Sequence, residues 1–237
     1  MLIKKLKPAG QKIKMPAKFS DEPKGLVISY LGAGKGKTTA AMGMAIRAAG
    51  AGMNVYILQF VKAKAASKDK IKDGEWPVSS EIDFLNFAEK KLGSSWGSSF
   101  DLSRPPGTLP TPGEGGIGKI YNEQLGLGFV GILGDKKEKE VHIKAALDGL
   151  SRAREIITSG KYQVIILDEI ISALESKLIE ERDIIDLIDI KAPLQHLVLT
   201  GHNKYPKIME KCDLITEMTM IKHPYYKGIL AQRGIDY

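Results

Sequence analysis

The stretch Gly32-Ala33-Gly34-Lys35-Gly36-Lys37-Thr38 combines the residue types that a polyphosphate requires. Glycines let consecutive backbone N–H groups turn toward an anion, a lysine supplies positive charge, and a hydroxyl can help to hold Mg2+. Gly32, Gly34, Gly36, Lys37 and Thr38 supply each part. The usual spacing, G-x-x-x-x-G-K-[ST], would put its first glycine at position 31, where Leu31 stands, so this is a variant loop with its glycines closer together. The apolar, β-branched run from Leu26 to Leu31 precedes it, and the Ala- and Met-rich pattern from Thr38 to Ala49 follows. A strand, a loop and a helix are expected, with the anion at the positive end of the helix dipole. The expected ligand is a nucleoside triphosphate, ATP.

A second candidate lies far along the chain, where the apolar run Gln163 to Leu167 ends on Asp168-Glu169. Carboxylates at the C-terminal edge of a parallel sheet face the crevice in which ligands of such sheets bind. Thr38, Asp168 and Glu169 are therefore the candidate metal residues, for Mg2+ with Mn2+ as the open alternative. The competing reading is an acidic pair that caps the next helix. Of the histidines, His142 falls on a charged helix and reads as a surface residue, while His196 and His202 flank a strand and read as structural. Trp76, Trp96 and Phe129 are candidates for core or lid.

These residues must be positioned by alternating strands and helices. After the first helix, Gly50 and Gly52 act as a stop and Val55 to Phe60 reads as a strand, which completes a βαβ unit. Ile82 to Phe87 is expected to be a third strand. The pattern then fails, and Gly93 to Gly118 is crowded with Gly, Ser and Pro, as in a functional lid or a disordered insertion. Regular structure is expected again from Glu138: a helix to Gly160, the strand before Asp168, a short apolar helix, and an acidic helix over Glu180 to Asp189. The strand His196 to Thr200, a helix near Tyr205 to Lys211 and a strand from Leu214 to Met218 follow. The organisation is a basic N-terminal arm, 1–24, and one α/β domain, 25–237, with the Gly/Pro/Ser-rich loop or insertion at about 88–127.

The 237 residues are 43% hydrophobic and 27% charged, a balance that suits a globular domain with a sizeable core. The net charge is +7, but residues 1–24 hold seven lysines against Asp21 and Glu22, a local +5 that leaves only +2 for the body. That distribution and the scarcity of clustered aromatics argue against a nucleic-acid-binding ATPase. No run approaches the roughly 18 apolar residues needed to span a bilayer, and the N-terminus lacks the apolar stretch of a secretory signal, so a cytoplasmic protein is expected. A single cysteine, Cys212, accords with a reducing compartment.

The assembled pieces resemble the P-loop type of corrinoid adenosyltransferase. The loop with Thr39, Ala40, Ala41, Arg47 and Gly52 looks like the family's loop and first helix, Gln59 to Lys62 like its second strand end, and Val164 to Glu169 like its metal strand. Thr200-Gly201, Asp213 to Glu217, Ile221 to Pro224 and Lys227 to Tyr237 follow that family's C-terminus. Ala33 stands where the family usually has Asn or Asp, and His202 where it commonly has Arg. The resemblance implies a three-layer RecA-like P-loop NTPase fold with a mostly parallel central sheet. It also implies transfer of the 5′-deoxyadenosyl group of ATP to Co(I) of cob(I)alamin or cob(I)yrinic acid a,c-diamide, with release of triphosphate. Lys37, Thr38 and Glu169 would carry the chemistry. Gly32, Ala33, Gly34, Lys35, Gly36, Lys37, Thr38, Thr39, Arg47, Gln59, Thr200 and Gly201 would hold the nucleotide, with Phe129 against the corrinoid. A homodimer and an electron-donating flavoprotein reductase are the implied partners. The alternatives carried with it are a RecA-type ATPase on nucleic acid and an inactive corrinoid-binding relative.

Overall fold

In the computed structural model, the residues described are 22–63, 81, 83–85, 117–128, 137–232 and 234–235. Most of the basic arm, most of the Gly/Pro/Ser-rich stretch, and Trp76, Trp96 and Phe129 lie outside them. Among the described residues, six strands form one sheet: β1 (Val27–Leu31), β2 (Val55–Ala63), β3 (Ile120–Gly126), β4 (Val164–Asp168), β5 (His196–Thr200) and β6 (Leu214–Glu217). Their order is β3-β2-β4-β5-β1-β6, and every pairing is parallel. The central strands are buried on both faces and read as continuous apolar runs, as parallel strands must when helices cover both sides.

Those helices are α1 (Lys37–Gly50), α2 (Lys139–Thr158), α3 (Ile170–Glu175), α4 (Glu181–Asp189) and α5 (Pro206–Lys211). Alternation along the strands sorts the core into two layers. Ile28, Ile57, Ile166 and Val198 pack with Ala41, Met42 and Ala45 of α1 on one face. Leu58, Leu167 and Leu199 pack with α2, α3, α4 and α5 on the other, so the fold is a three-layer α/β sandwich.

Three expectations are corrected. Residues 81 and 83–85 are helical rather than a strand, and Leu85 joins the α1 layer. The third strand is β3, inside the stretch that reads as patternless. It is an edge strand whose middle, Asn122-Glu123-Gln124, is polar, and it is held by partners remote in sequence. Tyr56 Oη donates to Glu123 Oε2 at 2.8 Å, and Arg152 Nε donates to the same oxygen at 2.9 Å. His142 is buried at 3% exposure, not on the surface. Charged neighbours conceal that it shares one helical stripe with Ala146, Gly149, Ala153 and Ile157, the face α2 turns to the sheet.

Candidate functional site

The C-terminal ends of β1, β2, β4 and β5 carry the site. Gln59, Asp168 and Thr200 occupy the strand positions that alternate onto the α1 face. Gln59 pairs directly with Asp168, and Thr200 lies one step beyond the Leu167–Leu199 pair. Strand β5 separates the loop strand β1 from the acidic strand β4, and its threonine spans the gap. Thr200 Oγ1 donates to Asp168 Oδ1 at 2.9 Å and accepts the Glu169 N–H at 2.7 Å.

Asp168 is fully buried and saturated. Its Oδ1 also accepts from Thr38 Oγ1 at 3.0 Å, and its Oδ2 accepts from Gln59 Nε2 at 3.1 Å. Lys62 Nζ stands 3.4 Å from that same Oδ2. A register irregularity in β2 after Gln59 brings Lys62 to Gln59's side, although strict alternation would send residues three apart to opposite faces. Because an ionised carboxylate only accepts, the Gln59 amide must present its N–H to Asp168. Its Oε1 then remains a buried acceptor without a partner among the described residues.

The glycine loop wraps the N-terminus of α1. Gly32 and Gly36 have φ of 106° and 104°, a region that side chains with a Cβ rarely enter. Gly34 is needed for a different reason, since a Cβ there would meet the Met218 carbonyl oxygen at 2.6 Å, and its own N–H donates to that oxygen at 2.7 Å. The first i→i−4 bond of α1 runs from Ala40 N to Gly36 O, so the N–H groups of Lys37, Thr38 and Thr39 have no helical carbonyl and can meet an anion. Lys37 is buried, and its Nζ donates to Gly32 O and Gly34 O, both at 2.9 Å. Burial lowers its pKa, Glu169, Glu175 and Asp168 oppose that shift, and Lys35 adds to it. Such a lysine is held on main-chain carbonyls that a phosphate can replace.

Glu169 has φ of 61°, costly for a residue with a side chain, and is fixed there by Thr200 below and by Ala173 N donating to its carbonyl. Its Oε2 accepts from Ser172 Oγ. Gly201 follows Thr200 because a Cβ there would lie 2.4 Å from Cβ of Ile171.

The structure thus brings together Gly32, Gly34, Gly36, Lys37, Thr38, Gln59, Asp168, Glu169, Thr200 and Gly201. Ala33, Lys35 and Thr39 are exposed on the rim of the loop. Arg47 is not at the loop; it is exposed in the last turn of α1, nine residues beyond Thr38, which at 1.5 Å per residue is about 13 Å along the axis. Phe129 lies outside the described residues. Four neighbours were not singled out as site residues from the sequence: Lys62, Ser172, Glu175 and His202. Ser172 was the most accessible of them, standing three residues after Glu169 on a predicted helix.

An all-oxygen set of a threonine hydroxyl and carboxylates suits Mg2+. Among the described residues, no group of three or more His, Cys, Asp or Glu could hold a metal unaided.

A family model described as ATP:corrinoid adenosyltransferase BtuR/CobO/CobP matches residues 23–96 and 114–237. A corrinoid adenosyltransferase of Sinorhizobium sp. is 29% identical over 100% of this chain and 90% of its own length. One from Pseudomonas aeruginosa is 27% identical over 93% and 87%. The corrinoid adenosyltransferase CobA of Salmonella typhimurium is 24% identical over 92% and 88%.

Proposed function

This chain belongs to the ATP:corrinoid adenosyltransferase family, and we propose how its crevice performs that transfer. The enzyme moves the 5′-deoxyadenosyl group of ATP to a corrinoid. Co(I) supplies the electron pair for the new Co–C5′ bond, the C5′–O bond breaks, and inorganic triphosphate leaves with the electron pair of that broken C5′–O bond. The protein needs no nucleophile of its own. Its task is to hold the leaving group, so the loop clamps a departing triphosphate rather than a transferred phosphoryl. Lys37 and the N–H groups at the start of α1 stabilise the charge that develops on the bridging oxygen. Thr38 and Glu169 are the residues that would hold Mg2+, which supplies further neutralisation of the triphosphate, with Asp168 fixing Thr38 from behind.

The observation that carries this reading is the bond between Thr38 and Asp168, which joins the glycine loop to the acidic strand across β5 in a chain matched by the family model. Gln59, Lys62, Thr200 and Gly201 complete the nucleotide side, and Phe129 is proposed for the corrinoid side. The acceptor is cob(I)alamin or cob(I)yrinic acid a,c-diamide, reduced by a flavoprotein, and the working form is a homodimer. The exposed Leu214, Ile221, Tyr226 and Leu230 provide apolar surface for such association. No helix among the described residues is long and apolar enough to cross a membrane. We propose a cytoplasmic location.

Incubation with ATP, Mg2+ and chemically reduced cob(I)alamin should give the adenosylated corrinoid and inorganic triphosphate in equal amounts. ADP and orthophosphate with an unchanged corrinoid spectrum would overturn the proposal.

A further inference from the structure

Three residues behind Glu169 form a hydrogen-bonded chain that the reaction as described does not use. Ser172 is buried on α3, and its hydroxyl donates to Glu169 Oε2. The same Oγ stands 3.2 Å from Nδ1 of His202. A serine hydroxyl has one proton, and it is spent on the carboxylate, so the imidazole must donate from Nδ1 and Ser172 must accept. Glu175 fixes that arrangement. Its Oε1 accepts the backbone N–H groups of His202 at 3.1 Å and Asn203 at 2.5 Å, and its Oε2 lies 3.6 Å from Nδ1. A carboxylate beside Nδ1 favours a proton on that nitrogen. The backbone of His202 in turn accepts the Gly32 N–H at 2.9 Å, which ties the chain to the glycine loop.

The geometry points to Ser172, His202 and Glu175 as positioning residues that set the orientation of the metal-facing carboxylate. Donors run one way, from His202 Nδ1–H to Ser172 Oγ–H to Glu169 Oε2. This occupies one oxygen of Glu169 and leaves Oε1 to meet the cation. Glu169 therefore binds through one oxygen in a fixed direction, which limits the cost of ordering it when the metal arrives. The inference rests on the proposal that Glu169 faces Mg2+.

The test reads ATP binding, not turnover, as a function of Mg2+ concentration on the full chain. Ser172→Ala should raise the Mg2+ midpoint about tenfold, the lower end of what such supporting partners contribute, while ATP affinity in EDTA stays at the wild-type value. Ser172→Thr, which keeps the hydroxyl, should restore the midpoint. His202→Asn, which keeps a donor near the Nδ1 position, should lie close to wild type, and His202→Ala should follow Ser172→Ala. Glu169→Gln separates the two levels of the argument. If it shifts the midpoint while Ser172→Ala and His202→Ala do not, the positioning chain is overturned. If Glu169→Gln moves nothing, the metal reading fails and the chain with it. Equal loss of ATP affinity with and without Mg2+ in Ser172→Ala would show a merely structural role and overturn the inference.

Discussion

The β2–β3 edge of the sheet and its C-terminal ends each carry a polar cluster, and the clusters are bonded differently. Along the β2–β3 edge, under α2, Tyr56, Glu123, Arg152 and Glu155 satisfy one another. Arg152 reaches Glu123 at 2.9 Å, Glu155 at 2.7 Å and the Tyr56 hydroxyl at 2.9 Å, and the rings of Tyr56, Tyr121 and Tyr162 pack together. At the C-terminal ends, Lys37 rests on two main-chain carbonyls, and Gln59 Oε1 has no partner among the described residues. Closed bonding holds strands in place. Open bonding leaves positions that a ligand fills, and a protein keeps such unfulfilled groups where binding can use them.

The largest expected effect breaks the open cluster alone. Lys37→Ala should lower adenosyl transfer by about a thousandfold, the scale of losing one strong charge-stabilising donor, with a thermal midpoint close to wild type. A large drop in that midpoint would show that Lys37 serves the fold instead. Arg152→Ala should do the reverse. It leaves Glu123 and Tyr56 without their shared donor and should cost roughly 1–3 kcal/mol in urea unfolding, discounted because the guanidinium is partly exposed, with kcat of the folded fraction unchanged.

The smallest effect is a pH dependence confined to the closed cluster. Burial, then the hydrogen bond to Glu123, pushes the Tyr56 hydroxyl up from 10.0 to about 12. The neutral phenol is thus favoured in the folded state. Its stabilising contribution is complete below pH 10 and disappears as pH rises toward about 12, because the unfolded chain loses that proton first. Urea midpoints measured between pH 9 and 11 should fall with pH in wild type and fall less steeply in Tyr56→Phe. Equal slopes would show that Tyr56 is not responsible.

Much of the open cluster is legible from the sequence, because its chemistry demands particular residues at short spacing. The run from Gly32 to Thr38 is contiguous, and Asp168-Glu169 ends an apolar strand. The closed cluster is not legible, since Tyr56, Glu123 and Arg152 come from separate elements and only the fold joins them. The same holds for β3, whose polar middle gives no strand signal until its partners are known. His142 misleads for a related reason, as its charged neighbours outweigh the helical stripe that buries it. Lys62 depends on an irregularity in β2 that residue types do not announce.

Gly34 and Met218 have one more consequence, for the order in which the protein is made. The glycine loop is translated well before β6, yet its shape depends on a carbonyl contributed just after that strand. While the ribosome still holds β6, strand β1 lacks a neighbour on one side and Gly34 lacks its acceptor. The nucleotide cradle therefore closes only after β6 has emerged and docked beside β1, which couples the acquisition of ATP affinity to the placement of that strand.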